Sequence, residues 1–324
     1  MNHSFPQVRS TMLATLLALA AGSGWAQSGY PGHSVNLIVP YAPGGGTDAI
    51  ARRLALGLTA RWKQSVVVEN IPGADGVIGT QRALRAPADG HTLLMQLNQM
   101  LLWPTTTPSA RIDILRDVRL ISKIQHSPLV AVVAPKFPGN TLKEFAAWCQ
   151  NASSACNWGT ATQSGQLSGK QFFDLAGVKS AVHVPYKGTT PMITDVMGGH
   201  IAMGLATIAA GMPHLKSGAL KFLAIGSRER FPAAKDIQTM YEQGYPVDAG
   251  TWFGIMVARD TPQPVVDAIA AGIRALAQDA ELLKAIETSG GAPIFNTPAQ
   301  FQREVEEEAR ALAPVLATLK AAGS

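Results

Sequence analysis

Eight consecutive residues, Tyr41 to Asp48 ("YAPGGGTD"), are the first in the chain whose types and spacing could do chemistry. Three glycines after an apolar run leave backbone N–H groups uncovered, and the residues behind them open a helix whose N-terminus favours negative charge. Such a turn can cradle an anion. Gly44, Gly46 and Ala49 also satisfy G-x-G-x-x-A, and Glu69 ends the next apolar run about where a ribose-binding acid belongs, so a dinucleotide is the rival ligand. Against it, the Asp48 carboxylate would crowd a pyrophosphate and Pro43 stiffens the entry. A P-loop is excluded more firmly, because no Lys-Ser/Thr pair follows the glycines. The remaining reading is a carboxylate held by backbone groups of Ala42, Gly44, Gly45, Gly46 and Thr47, with Tyr41 and Asp48 beside them.

A second polar turn, Gly159 to Gly169, offers Thr160, Ala161, Thr162, Gln163, Ser164 and Gln166 ahead of another helix, again without a charge. Gln96 and Asn98 flank Leu97 at the end of a third apolar run, with Met100 just beyond. Lys187, in "VPYKG", could pair with a ligand anion or simply be solvated; Trp252, in "GTWFG", suits either a cleft wall or a core. Catalytic patterns are absent: there is no GxSxG, no HExxH and no Cys/His pair, and the histidines are scattered singly along the chain. The acidic run "REVEEEAR" (Arg303 to Arg310) reads as the solvated face of a final helix.

The elements that must position these turns follow from periodicity. From Val35 the chain alternates near-continuous apolar runs ("VNLIVP", "SVVVEN", "HTLLMQL") with helical segments ("DAIARRLALGLTARW", "GVIGTQRALRA"), the pattern of parallel strands buried on both faces by crossover helices. Thr47 is placed as the N-cap of the first helix, with Asp48 in its first turn. A second series starts at "PLVAVVAP" and repeats the theme through "LKFLAIGS"; one more strand, "GTWFGIMVAR", and three helices close the chain. The expected fold is α/β, two units with mostly parallel sheets joined by strands crossing a hinge. Ligands in such sheets bind outside the carboxyl ends of the strands, so the turns should line a cleft between the units.

Residues 1–26 carry His3 and Arg9, an apolar stretch of about ten residues and small residues before a cut after Ala26, which reads as a secretory signal and is too short to span a bilayer. In a bacterium that means the periplasm, away from the cytosolic nicotinamide pool. Without Arg9, 26 Lys and Arg face 22 Asp and Glu, a net +4 spread without any basic block, which suits a small anion and argues against nucleic acid. Cys149 and Cys156 are the only cysteines, and an exported compartment permits a disulfide between them.

The segments "VPYAPGGGTD", "VVVENIPGADGVIGT", "ADGHTLLM", "VHVPYKGTTPMITDVMGGHIAM", "PHLKSGALKFLAIGS" and "WFGIMVARDTP" stand in the order of one known family, and from Tyr30 to Leu312 the chain resembles the tripartite tricarboxylate receptors, the Bug-type periplasmic solute-binding proteins. The resemblance implies a two-domain type II (Venus flytrap) fold, no enzymatic activity, no cofactor and no metal. It implies lobe 1 from residues 27–125 plus about 228–324 and lobe 2 from about 126–227, a monomer that closes on a carboxylate and feeds membrane transporter subunits. A ligand-sensing partner of a signalling receptor is the alternative role on the same fold, and an exported oxidoreductase the alternative on the same turn. Carried over, the ligand loops are Tyr41 to Asp48, Gln96 to Asn98 and Thr160 to Gln166. Three departures stand out: "QLNQM" follows "TLLM" where small residues are frequent, Gln166 replaces a common His, and Ala206 and Thr207 replace an Asp or Asn pair. These strip charge from the distal pocket, so the expected ligand is an acid with an apolar or aromatic body rather than an amino acid.

Overall fold

The computed structural model describes residues 29–151 and 156–322; the export signal expected over residues 1–26 lies outside them. The first unit builds β1 (Val35–Val39), α1 (Gly46–Trp62), β2 (Val66–Asn70), α2 (Val77–Leu84) and β3 (Thr92–Leu97). β1 lies between β2 and β3, parallel to both, as crossover helices require. Ile50, Ala51, Leu54 and Leu58 form the buried stripe of α1 against Val35, Leu37 and Val39.

Next comes β4 (Val118–Val133), a single strand of 16 residues where apolar periodicity marks only the second half. Its first half pairs with β9 (Gly250–Ala258) and its second half with β7 (Met203–Thr207) and β8 (Lys221–Ile225), all antiparallel. The chain then adds α3 (Leu142–Asn151), β5 (Asn157–Thr160), α4 (Gln163–Leu175), β6 (Val182–Pro185), α5 (Thr189–Gly198), β7 (Met203–Thr207), α6 (Ile208–Lys216) and β8 (Lys221–Ile225). β5 is parallel to β6 and β7. Finally β9 (Gly250–Ala258), α7 (Gln263–Arg274), α8 (Ala280–Thr288), the two-residue β10 (Ala292–Pro293) and α9 (Pro298–Ala322) return over the first unit. The main strand order is β2-β1-β3-β9-β4-β7-β5-β6, with β2-β1-β3 and β7-β5-β6 parallel and β9 and β4 antiparallel to their neighbours between them.

Among the described residues there are four apolar clusters, two per half. Met240, Val247 and Ala249 pack with Phe145, Trp158 and Phe173 of the second half, so the 226–249 segment belongs to that core. The chain crosses between halves at Pro128–Leu129 and again at Ala249–Gly250, where Leu129 N–H donates to the Ala249 carbonyl at 2.8 Å and Gly226 N–H to that of Leu129 at 2.8 Å.

Cys149, at the end of α3, is disulfide-bonded to Cys156 just before β5, as the exported reading allows. The closed loop spans only 7 positions. Constraining so short a loop in the unfolded chain is worth ~2 kcal/mol, so the Cys149→Ser/Cys156→Ser double variant should unfold at correspondingly lower urea concentration. Equal midpoints for the variant and the oxidised protein would contradict this.

Candidate ligand-binding site

The register places the turns. Leu97, the last residue of β3, is opposite Phe253, which is opposite Gln125 of β4; from the other side Thr207, the last residue of β7, is opposite Leu129. The carboxyl ends of the two sets of strands therefore converge on β4 four residues apart, roughly 13 Å at strand rise. Gly165 brings the second turn to the same place, because a Cβ there would sit 3.0 Å from the Leu129 side chain. The end of β3 and the second polar turn thus meet at the crossing between the halves, where ligands of open α/β sheets bind, while the glycine turn lies further out beyond β1 and lines a cavity with Glu281, Lys284 and Ser289 of and beside α8.

The glycine turn is held from behind. Gly45, not Thr47, is the N-cap, and α1 starts at Gly46. The difference has a physical cause: Asp48, at the third helical position, reaches back to accept the Gly44 N–H at 2.9 Å, which folds the glycines against the helix start and draws Gly46 and Thr47 into its first turn. Asp48 is only 4% exposed and its other bonds come from Arg52 Nε (3.0 Å) and Asn70 Nδ2 (2.9 Å). Burial raises its pKa, but the Arg52 bond, the Gly44 N–H, the Asn70 amide and the Arg52 charge outweigh that and hold it below the ordinary carboxylate value. Asp48 is a brace, with its carboxylate spent inside the protein. Ala42, Gly44, Gly45 and Gly46 are exposed, and Gly44 has φ +85°. A Cβ on Gly46 would meet nothing within 4 Å, so its surface is open.

Gln96 is fully buried: its Oε1 accepts from the Tyr41 hydroxyl and from Leu97 N–H (2.7 Å), and its Nε2 donates to Thr80 Oγ1 (2.8 Å). With every polar atom of its amide engaged, Gln96 positions Tyr41. Gln99 completes the set, donating to the Tyr41 hydroxyl at 2.9 Å and to the Asp75 carbonyl at 3.0 Å. Burial first, then Asp75, push the Tyr41 pKa up, so the hydroxyl stays protonated and keeps its bond to Gln96. Gly76, at φ +91°, allows this approach, since a Cβ there would lie 3.1 Å from Gln96 Nε2 and 3.2 Å from the Tyr41 hydroxyl.

In the second turn, Thr160 is buried at the end of β5 and Thr162 caps α4 by accepting the Gly165 N–H at 3.1 Å; Ala161, Ser164 and Gln166 are half-buried around it. Thr207 caps α6 through the Ala210 N–H and is exposed. Asn98 and Ser164 line one cavity of about 430 Å³, together with Leu167, Tyr241, Leu312 and Arg228. Asn98 also donates to the Gly250 carbonyl (3.0 Å) and to Glu308 Oε1 (3.1 Å), tying the end of β3 to the return crossing. Two residues stand apart. Trp252 is 1% exposed, edge-on to Phe301 at 5.1 Å, and donates to Glu308 Oε2 at 2.7 Å; of the two roles open to it, packing selects the core. Lys187 is exposed beyond the edge strand β6.

Sequence reasoning missed the polar lining of the crossing itself. The "REVEEEAR" run is only partly a solvated face: Arg303, Glu307 and Arg310 are exposed, but Glu304 pairs with Lys123 Nζ at 2.6 Å, Glu307 with Arg228 at 2.7 Å, and Glu308 receives Trp252 and Asn98. His126 Nε2 lies 3.0 Å from Asp248 Oδ1. Charges on β4 meet charges on α9 some 180 residues later, which no local pattern reveals. Burial raises the Asp248 pKa, but His126 most of all, then Lys123 and Arg228, hold it at about 2. Its folded value is below its unfolded one, so its contribution is present above about pH 4 and is lost as pH falls toward 2. Asp248→Asn should remove that share at neutral pH and flatten the acid limb of the stability profile between those values. Parallel acid limbs in urea titrations of the two proteins would refute the assignment.

A two-lobed α/β scaffold with uncharged, backbone-rich turns at and beside the crossing defines a binding protein. The chain matches the model of the tripartite tricarboxylate transporter family receptor over residues 50–320, and it belongs to that family. Family membership makes it a solute-binding receptor of carboxylates rather than an enzyme, with the two-domain type II periplasmic-binding-protein fold. It is similar to Protein BugT of Bordetella pertussis, 32% identical over 294 residues that cover 89% of each chain. A TctC solute-binding protein from Polaromonas superposes with a TM-score of 0.82 at 26% identity, covering 90% of this chain and 99% of that one. A protein of R. palustris with adipate superposes at 0.64 and 26% identity, covering 90% and 98%. The dinucleotide alternative loses its footing, since the Gly44 N–H that a pyrophosphate would need is taken by Asp48.

Proposed function

We propose that this protein is a periplasmic receptor, exported through its first 26 residues, that captures an organic carboxylate with an apolar or aromatic body and delivers it to the membrane subunits of a tripartite tricarboxylate-type transporter. It acts as a monomer. The observation that carries this reading is the convergence of the end of β3 and the second polar turn on residues 125–129 of β4, with the glycine turn tied to β3 through Tyr41 and Gln96 and its own carboxylate, Asp48, engaged internally. One ligand carboxylate would sit at Ala42 to Thr47, reached by the N–H groups of Gly45, Gly46 and Thr47 at the helix N-terminus, with Tyr41 beside them and its hydroxyl proton given to Gln96. Thr160, Ala161, Thr162, Ser164 and Gln166 would close from the other lobe. Ala206 and Thr207 supply no charge for an α-amino group, and Leu97 adds apolar surface, which favours an acid without one. The adipate-bound relative supports the carboxylate class.

In this reading the lobes meet at β4 and at Ala249–Gly250, so lobe 2 would run from about residue 129 to 249 instead of ending near 227. Ligand contacts made with both lobes only when closed supply the closing free energy. A thermal-shift series with benzoate, terephthalate, adipate, malate and glutamate tests the proposal. A ligand at about 100 times its Kd should stabilise by ~2.7 kcal/mol. Responses to apolar-bodied acids with none to glutamate are expected; tight glutamate binding with no response to the others would sink the specificity.

A further inference from the structure

Two histidines that are 58 positions apart in sequence meet at the end of the sheet away from the cleft. His33 precedes β1 and His91 precedes β3, and the parallel register pairing Asn36 with Thr92 sets them side by side. Their rings stack with centroids 3.6 Å apart and planes 19° from parallel. Asp89 completes the group: its Oδ1 accepts the His91 backbone N–H at 2.9 Å and stands 3.4 Å from His91 Nδ1. One donor atom from each of the three residues lies within 4.8 Å of the others.

The chemistry of the group asks for a ligand. Both ring nitrogens of His91 are shielded from solvent, yet neither has a hydrogen-bond partner among the described residues. An imidazole so placed loses water and, beyond the Asp89 carboxylate 3.4 Å from Nδ1, gains no polar partner among the described residues in return. His33 Nδ1 lies 3.0 Å from the Ser34 carbonyl. A proton donated there fixes the tautomer and leaves the Nε2 lone pair outward, the arrangement of metal-ligating histidines, which give their other N–H to a backbone carbonyl or carboxylate. Two imidazole nitrogens with one carboxylate oxygen suit zinc or copper and not calcium or magnesium, which want oxygen alone.

We propose that His33, Asp89 and His91 form a surface site for a divalent transition ion, with a fourth position open to water. Donor atoms around tetrahedral zinc stand ~3.4 Å apart, so the group must contract by roughly 1 Å. His33 and Asp89 are exposed and can turn to do so, unstacking the imidazoles, while His91 stays fixed. Coordination would fasten the segment ahead of β1, where Tyr30 already packs on His91 at 5.3 Å and donates to the Gly90 carbonyl at 2.7 Å. The group sits at the amino ends of β1 and β3, opposite the glycine turn, so ion binding and carboxylate capture are separate events.

Calorimetric titration of zinc into the untagged chain lacking residues 1–26, near neutral pH, should show one site of micromolar affinity. His33→Ala and His91→Ala should each weaken it about tenfold or more. His200→Ala, at an exposed histidine elsewhere, should leave it unchanged. Zinc should also raise the melting temperature of the parent protein but not of His33→Ala, whose exposed ring can be removed without disturbing the fold. Unchanged affinity in His33→Ala, or no heat and no thermal shift in the parent protein up to about 1 mM zinc, would overturn the site.

Discussion

Replacing Gly250 by Ala should cost about 3 kcal/mol or more of unfolding free energy, a drop in melting temperature on the order of 8 °C. Gly250 opens β9 at the return crossing with φ +152°, a conformation L side chains rarely adopt. An added Cβ would lie 2.5 Å from the Ser127 carbonyl oxygen, 2.7 Å from Pro128 Cα and 2.9 Å from His126 Nε2. Two of these neighbours are backbone, so relief requires β4 to move away from β9 at the one place where both chains pass between the lobes. The Gly250 carbonyl also holds Asn98 at 3.0 Å, and displacing it would loosen the end of β3. Gly46→Ala is the contrasting case. It has open space around its Cβ and ordinary φ, so stability should stay within about 0.5 kcal/mol while affinity for the carboxylate falls, because the bare backbone is what the ligand would approach. Urea unfolding of both variants beside ligand titration separates the two effects; a Gly250→Ala loss below 1 kcal/mol would mean the crossing is not tightly closed.

Glu304→Ala should cost ~3 kcal/mol, and the paired replacement Lys123→Met/Glu304→Leu should recover all but ~1 kcal/mol of it. Lys123 lies in the first half of β4 with its side chain 5% exposed, its ammonium 2.6 Å from Glu304 Oε2 and 5.8 Å from the centre of the Trp252 ring. Removing the partner leaves a buried ammonium beside aromatic and strand atoms with only the longer-range pull of Asp248 and Glu308, a larger penalty than the pair's net worth. Two apolar side chains of similar length avoid that penalty, since neither then needs hydration. The pair is therefore a device for seating α9 on β4 more than a source of stability. Additive single-variant losses in a double-mutant cycle by urea unfolding would show that the two groups do not act on each other.

Much of the architecture is readable because apolar periodicity is local. The runs "VNLIVP", "SVVVEN" and "HTLLMQL" become β1, β2 and β3, and "DAIARRLALGLTARW" becomes the body of α1, because burial on both faces of a strand or one face of a helix leaves its mark residue by residue. The first half of β4, "VRLISKIQHS", escaped the same reading. Lys123, Gln125 and His126 are buried there, and charged residues in a strand interior are stable only with partners that the chain supplies from α9, from the segment before β9 and from Ser289. The glycine turn was legible as an anion cradle, whereas the direction of Asp48 was not: whether a first-turn carboxylate faces a ligand or braces its own loop depends on Asn70 and Arg52 reaching it from β2 and the next helical turn.

The sequence by itself determined the alternation of strands and helices, the two polar turns at strand ends, the cysteine pair and the family, since each is written in contiguous residues whose burial or backbone freedom is a local property. Only the tertiary structure decided that Trp252 is core, that the acidic run of α9 faces the crossing, and that His33 and His91 touch. Those outcomes depend on register between distant strands and on where charges find partners across the sheet, and pairing energies of that kind leave no pattern in neighbouring residues.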